Sequence, residues 1–312
     1  MTKKKKPAHK LRAQAIILLW RLLAKCSPHA LWRLARVIGP QIHRFSQRER
    51  YVTNVNLKDV YPELDRPERH ARSRESLVHS TATMLELGFA WMAPPSRIEA
   101  SILEVHGREL LDEARGQGCG VIVLAPHFGN WEILNFWLSS HFPFTAMYEP
   151  PRICALEPTI RHGRERMGAA LVPTNSRGVA SLLKALKRSE AVGILPDQVP
   201  SWGSGVFADF YHRPAYTATL LPKLVARTQS RVVTGVALRL SGRGFAIHFL
   251  PADERVYSAD ETVSARGVNA CVEDAIALAP VQYQWEYKRY RKTPEQEQNH
   301  PEHKKFRIYQ KR

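Results

Sequence analysis

Hydrophobic and polar positions follow two different periods along this chain, and the change falls near residue 118. From Arg66 to Ala93 one face recurs at helical spacing (Leu77, Thr81, Met84, Leu85, Gly88, Trp91), and Pro94-Pro95 closes the stretch. Beyond Gly118 the spacing shortens. Gly120–Ala125 (GVIVLA) is a β-branched run that predicts a strand buried on both faces, with a turn and a helix over 131–140 after it. Strand 144–148 and helix 157–167 follow, then helix 179–187 and a second buried strand over 191–195. Helix 216–227 leads to strands 231–240 and 245–250, adjacent across the Ser-Gly-Arg-Gly turn at 241–244, and a last helix over 262–279 ends before Pro280. This alternation predicts an α/β fold with a mostly parallel central sheet flanked by helices. With no internal repeat and no long linker, residues 51–312 read as a single α/β domain behind an N-terminal segment over 1–50.

That segment has its own pattern. Ala13–Trp20 (AQAIILLW) and Ala30–Ile38 are apolar stretches interrupted or followed by Arg21, Lys25, Arg33 and Arg36. Neither approaches the ~18 to 20 apolar residues that cross a bilayer, and no small-residue cleavage site follows them. A basic amphipathic helix lying in a membrane interface fits, with Ile16, Ile17, Trp20 and Leu23 inserted and the cations at the headgroups. An ordinary basic helix packed on the domain is the alternative.

Charge makes the segment stand out further. The 312 residues hold 46 Lys+Arg against 29 Asp+Glu, a formal +17. Residues 1–50 carry 13 basic residues, including Lys3, Lys4, Lys5 and Lys6, and one acid, Glu49; residues 286–312 carry 9 basic and 4 acidic; the remainder is balanced. Two cationic ends suit an anionic partner: a membrane leaflet, an acidic protein or a nucleic acid. No zinc-finger spacing, RNP-like aromatic run or helix-turn-helix pattern is present, which sets nucleic acid aside. At 44% apolar and 24% charged the chain is no disordered segment. Cys26, Cys119, Cys154 and Cys271 lie in no metal-type spacing and the 13 histidines form no HExxH pair, so neither a disulfide framework, a metal nor another cofactor is signalled.

In α/β sheets ligands sit beyond the carboxyl ends of the strands, so the turns after Ala125 and Leu195 are the places to search. The first reads Ala-Pro-His127-Phe-Gly129-Asn130-Trp-Glu132. It can bring the Glu132 carboxylate back onto the His127 imidazole, fixing its tautomer as the third member of a nucleophile-base-orienter set does. A half-buried polar turn is the plainer reading. No GxSxG elbow occurs and no Ser or Cys stands beside His127, so this base would act on a hydroxyl that the substrate brings. The second turn, Pro196-Asp197-Gln198 opening a Pro/Gly-rich loop, can hold polar groups of a substrate headgroup, brace the site, or simply turn the chain.

With His127-Phe-Gly-Asn-Trp-Glu132 on a strand-turn-helix, the sequence resembles the lysophospholipid acyltransferase superfamily, and within it the bacterial lipid A late (lauroyl/myristoyl) acyltransferases. The resemblance spans nearly the whole chain: the basic N-terminal segment, Gly163-Arg164-Glu-Arg166, Arg177 before a helix ending Lys187, Pro-Asp197-Gln198, Thr217-Ala-Thr219, and the closing Gln-Tyr283-Gln-Trp285-Glu-Tyr-Lys288-Arg289. It implies transfer of an acyl chain from acyl-acyl carrier protein to a hydroxyl on an acyl chain of a Kdo-bearing lipid A precursor, at the cytoplasmic face of the bacterial inner membrane. His127 would be the general base and Glu132 its orienting partner, with amides at the start of the next helix facing the oxyanion. Asn130, Asp197 and Gln198 would meet substrate. Arg164, Arg166 and Arg177 would bind its phosphates or carboxylates, or else lie on solvated helix faces. The acidic carrier protein and the anionic leaflet would answer the charged ends. The 285–292 run, with aromatics between cations, has the composition of an interfacial anchor, unless Tyr283 and Trp285 close the core. One departure is that members commonly show Tyr-Arg-Pro where this chain has Tyr148-Glu149-Pro150-Pro151-Arg152.

Overall fold

A computed structural model describes residues 7–298 together with 308 and 309; Lys3–Lys6 and most of the basic C-terminal tail lie outside the described residues. The chain begins with helices α1 (Pro7–Leu23), α2 (Pro28–Phe45), α3 (Gln47–Val60), α4 (Arg66–Met92) and the short α5 (Pro95–Glu99). Strand β1 (Ile102–His106), α6 (Glu109–Gly116), β2 (Val121–Leu124), α7 (Trp131–His141) and β3 (Phe144–Tyr148) come next. Then follow α8 (Glu157–Glu165), β4 (Ala170–Pro173), α9 (Ser176–Lys187) and β5 (Ala191–Ile194). A hairpin, β6 (Gly205–Phe210) and β7 (Arg213–Ala218), precedes α10 (Leu220–Thr228), β8 (Arg231–Arg239), β9 (Phe245–Pro251), α11 (Glu261–Leu278) and α12 (Pro294–Gln298).

The central sheet has seven strands in the order β1-β9-β8-β2-β5-β3-β4. Every neighbouring pair in it is parallel except β8–β9, which is the predicted antiparallel pair across the 241–244 turn. Side chains of β2 alternate between faces as a doubly covered strand requires. Val121 and Val123 pack with α4, α7 and α8, whereas Ile122 and Leu124 pack with α9, α10 and α11. β2 and β5 run side by side, Val121 against Ala191 through Leu124 against Ile194, so the two turns singled out above open next to each other.

Three readings change here. The helix expected from Tyr216 starts only at Leu220, and 213–218 is instead a strand of a separate hairpin, Phe207 facing Tyr216. Pro222 explains the start: it lacks an N–H and is tolerated in a first turn but not four residues further in. The edge strands β1 and β4 were not foreseen, because a half-exposed edge has no continuous apolar run to read. On α4, Met84 is exposed although Leu77, Thr81, Gly88 and Trp91 are buried.

The N-terminal helices pack on α4, and the face expected to insert is the one they bury. Trp20 and Leu23 are buried in the protein, Trp20 edge-on to Trp91 at 4.9 Å, with Ile16 and Ile17 beside them. Gly88 permits this contact, since a Cβ there would stand 2.4 Å from the Trp20 carbonyl oxygen. The face left outside carries Leu11, Leu18, Leu19 and Leu22, and α2 adds Leu34, Val37 and Phe45. At the other end Trp285 and Tyr290 are almost wholly buried. Arg289 is buried with them, donating to Tyr216 O, Thr217 Oγ1 and Asn269 Oδ1. The closing block is therefore core, not an interfacial anchor.

Candidate active site

His127 leaves the end of β2 and is gripped by the residue that leaves the end of β5. The Asp197 carboxylate accepts the His127 backbone N–H at 2.9 Å through one oxygen and lies 2.8 Å from ring Nδ1 through the other. An ionised carboxylate only accepts, so Nδ1 holds the ring proton and Nε2 presents a lone pair. Gln198 agrees, its side-chain amide donating to Nε2 at 3.0 Å. Burial works to raise the Asp197 carboxyl; the His127 charge that forms on protonation, with the hydrogen bonds from its ring and backbone, outweighs it, so the group is held below the usual carboxylate range. The Tyr283 hydroxyl, buried and beside Asp197, is pushed well up and stays a neutral donor.

The turn that carries His127 is braced on every side. Gly129 has φ +56° and a Cβ would meet Ala237 O at 2.0 Å, so glycine is obligatory. Its N–H donates to Gln282 O, the Asn130 N–H to Ala237 O, and the Gln284 N–H to His127 O. The two most distinctive sequence blocks, HFGNWE and Gln-Tyr-Gln-Trp, are thus hydrogen-bonded partners. Amides at the start of α7, expected to face an oxyanion, are occupied: those of Glu132 and Ile133 donate to Asn130 Oδ1.

Asn130 is fully buried and meets protein rather than substrate. While its Oδ1 caps α7, its Nδ2 donates to Glu86 Oε2 at 2.9 Å. Glu86 in turn pairs with Arg239, whose Nε lies 2.7 Å from Oε1, and the same guanidinium donates to Thr83 Oγ1 and His79 Nδ1. Thr83 donates on to Gly129 O. Neither Glu86 nor Arg239 lies in a sequence motif. The available signal was a carboxylate within the buried face of α4, between Ala82 and Phe89, which requires a cation.

Glu132 is not the partner of His127. Its carboxylate is buried and accepts from Trp91 Nε1 at 2.8 Å, Trp131 Nε1 at 3.1 Å and the Arg164 guanidinium. The residue lies in the first turn of α7, and that geometry turns it toward α4 and α8 while Asp197 takes the imidazole. Arg164 is committed to this pair, and Arg166 caps the end of α4 by donating to Ala90 O and Ala93 O. Of the three arginines, Arg177 alone keeps an exposed side chain with no hydrogen bond or ion pair among the described residues. A cavity of about 400 Å³ opens at His127, with Gln198, Glu149, Thr174 and Trp131 among its polar or aromatic walls. A smaller one of about 60 Å³ adjoins it.

A family model for bacterial lipid A biosynthesis acyltransferases matches residues 1–292. The chain belongs to that family. It is similar to the lipid A biosynthesis palmitoleoyltransferase of Escherichia coli (strain K12), 28% identical over 260 residues, 82% of this chain and 83% of the relative. The lipid A biosynthesis lauroyltransferase of the same strain is 25% identical over 291 residues, covering 93% and 94%. A phosphatidylinositol mannoside acyltransferase of Mycobacterium tuberculosis is 29% identical over 156 residues, 47% of this chain and 48% of the relative. The protein is an acyltransferase of lipid A biosynthesis.

Proposed function

We propose that this lipid A acyltransferase moves a fatty chain from acyl-acyl carrier protein to a hydroxyl on an acyl chain of a Kdo-bearing lipid A precursor, either Kdo-lipid IVA or its lauroylated form. The observation that carries the reading is the His127 imidazole: Nδ1–H anchored on a buried carboxylate, the Nε2 lone pair at a cavity mouth, and no serine or cysteine bonded to the ring among the described residues. His127 Nε2 takes the proton of the acceptor hydroxyl as its oxygen attacks the thioester carbonyl, and no acyl-enzyme forms. Asp197 stabilises the imidazolium. The Gln198 amide, released from Nε2 by the arriving hydroxyl, is the nearest side-chain donor for the oxyanion. Glu132 serves by holding Arg164 and the start of α7.

The exposed leucines of α1 and α2, flanked by Arg12, Arg21, Lys25, Arg33, Arg36 and Arg44, support a face that lies in the cytoplasmic leaflet of the inner membrane. No helix among the described residues is long and apolar enough to cross a membrane. Mass spectrometry of lipid A from a deletion strain tests the acceptor: one acyl chain fewer is expected, and an unchanged acyl count sinks the reading. The similarity to a phosphatidylinositol mannoside acyltransferase supports a second reading, a glycolipid acceptor of another kind. Purified protein given both acceptor types with one donor separates the two.

A further inference from the structure

The larger cavity opens at His127, the smaller one adjoins it, and the two lie on opposite faces of the sheet. The smaller occupies the face covered by α7, between Leu134 and Leu138 of that helix and Phe144 and Ala146 of β3. The larger occupies the other face, between Leu124, Leu220, Leu221 and Val268. Trp131, Met147, Arg164, Gly193 and Leu195 line both, so the cavities meet where β2, β3 and β5 end.

Their linings differ in chemistry. In the smaller cavity the polar side chains are already bonded: Glu132 to Arg164 and two indoles, and Asn135 Nδ2 to Arg164 O. What it offers a guest is apolar wall. From Trp131 at the mouth to Leu138 the helix advances about 10 Å, and Phe144, the first residue of β3, lies at the deep end with Leu138. The larger cavity is apolar inside but polar at its rim, where His127, Gln198, Glu149 and Thr174 stand. Arg177, the second residue of α9, stands just beyond Thr174 with its guanidinium unengaged.

We infer that the smaller cavity takes the donor's acyl chain and the larger one the hydroxyacyl chain of the acceptor, so that the two tails reach His127 from opposite faces of the sheet. This deepens the proposed reaction and rests on it. A saturated chain asks only for apolar wall. A hydroxyl set between an alkyl tail and a charged sugar headgroup needs an apolar interior, a polar rim and a cation; the larger cavity supplies the first two with Arg164 on its wall, and Arg177 follows three residues after its Thr174 wall. With the two chains engaged, the hydroxyl oxygen forms its bond to the thioester carbon, its proton passes to His127 Nε2, the C–S bond breaks, and the same proton leaves with the carrier thiolate.

Steady-state kinetics of the purified full-length protein test the sorting, with a ladder of saturated acyl-acyl carrier protein donors and Kdo-lipid IVA as acceptor. Ala146→Val, which narrows the smaller cavity, is expected to move the preferred donor toward shorter chains by at least tenfold in relative kcat/KM, with acceptor KM held within about twofold. Leu220→Trp, which fills the larger cavity, is expected to raise acceptor KM at least tenfold with the donor ladder unchanged. The inference is overturned if the two effects are exchanged, if both variants change both parameters, or if neither changes either. Thermal unfolding monitors folding; should Ala146→Val unfold, Leu171→Phe on the more exposed β4 wall fills the same cavity with the same readout. Failure of the proposed reaction is seen separately, as wild-type protein that does not acylate this acceptor with any donor.

Discussion

Asp197 holds His127 with both carboxylate oxygens, one on the ring at 2.8 Å and one on the backbone amide at 2.9 Å. This double contact ties the rotamer of the imidazole to the position of its own main chain. It also joins the two turns that leave adjacent parallel strands, so the base is held across the end of the rigid sheet by a contact between turns.

Asp197→Asn keeps the shape and loses the charge. The amide can no longer specify an Nδ1–H tautomer or stabilise the imidazolium, so kcat should fall by on the order of 10³-fold with acceptor KM little changed. Steady-state kinetics on protein of native circular dichroism check this. A loss below about tenfold would remove Asp197 from the mechanism.

Glu132→Gln should act first on stability. It leaves the Arg164 guanidinium without its counter-charge, and breaking a buried pair costs ~3 to 5 kcal/mol. The Arg164 side chain keeps 25% of its exposure, which places the expected loss near the lower end, about 3 kcal/mol. Denaturant midpoints measure it, and Glu132→Gln combined with Arg164→Met should recover part of it.

His79 predicts the acid limb of stability. Burial, and then the neighbouring Arg239 charge, lower it from 6.5 to about 3. The folded state keeps this ring neutral while the unfolded chain protonates it below 6.5, so stability is full above that pH and falls as pH drops toward the folded value. Between pH 7.5 and 5 the group accounts for a loss of about 2 kcal/mol. His43, lowered to about 4, acts in the same direction. In urea titrations at several pH values, His79→Gln, which still offers Arg239 an acceptor, should show a shallower slope than wild type.

For the proposed membrane face, Leu18→Glu with Leu22→Glu is a cleaner probe than deletion of the first two helices, which would bare the α4 surface covering Trp20, Leu31 and Ala35. Both leucines are more than half exposed, so the fold should tolerate the change. Burying each leucine is worth ~1.5 to 3 kcal/mol, and partition onto phosphatidylglycerol vesicles should drop by on the order of a hundredfold. Unaltered co-sedimentation would remove this face from membrane binding.

Local and periodic information by itself determined the α/β class, the two buried strands, the β8–β9 pair and the turns where chemistry would sit, because burial on both faces writes a continuous apolar run and a turn writes glycine and proline. The start of α10 was missed, although Pro222 marks it: apolar periodicity alone carried the helix back to Tyr216. Partnership was not legible. Glu132 stands five residues from His127 and Asp197 seventy, yet β2 and β5 lie side by side in the sheet, and a first helical turn aims its carboxylate away from the strand end that precedes it. The same limit applies to α1, whose Trp20 and Leu23 read as a face for lipid until the fold supplied α4 to bury them. An apolar stripe states that something must cover it; only the packed chain decides what does.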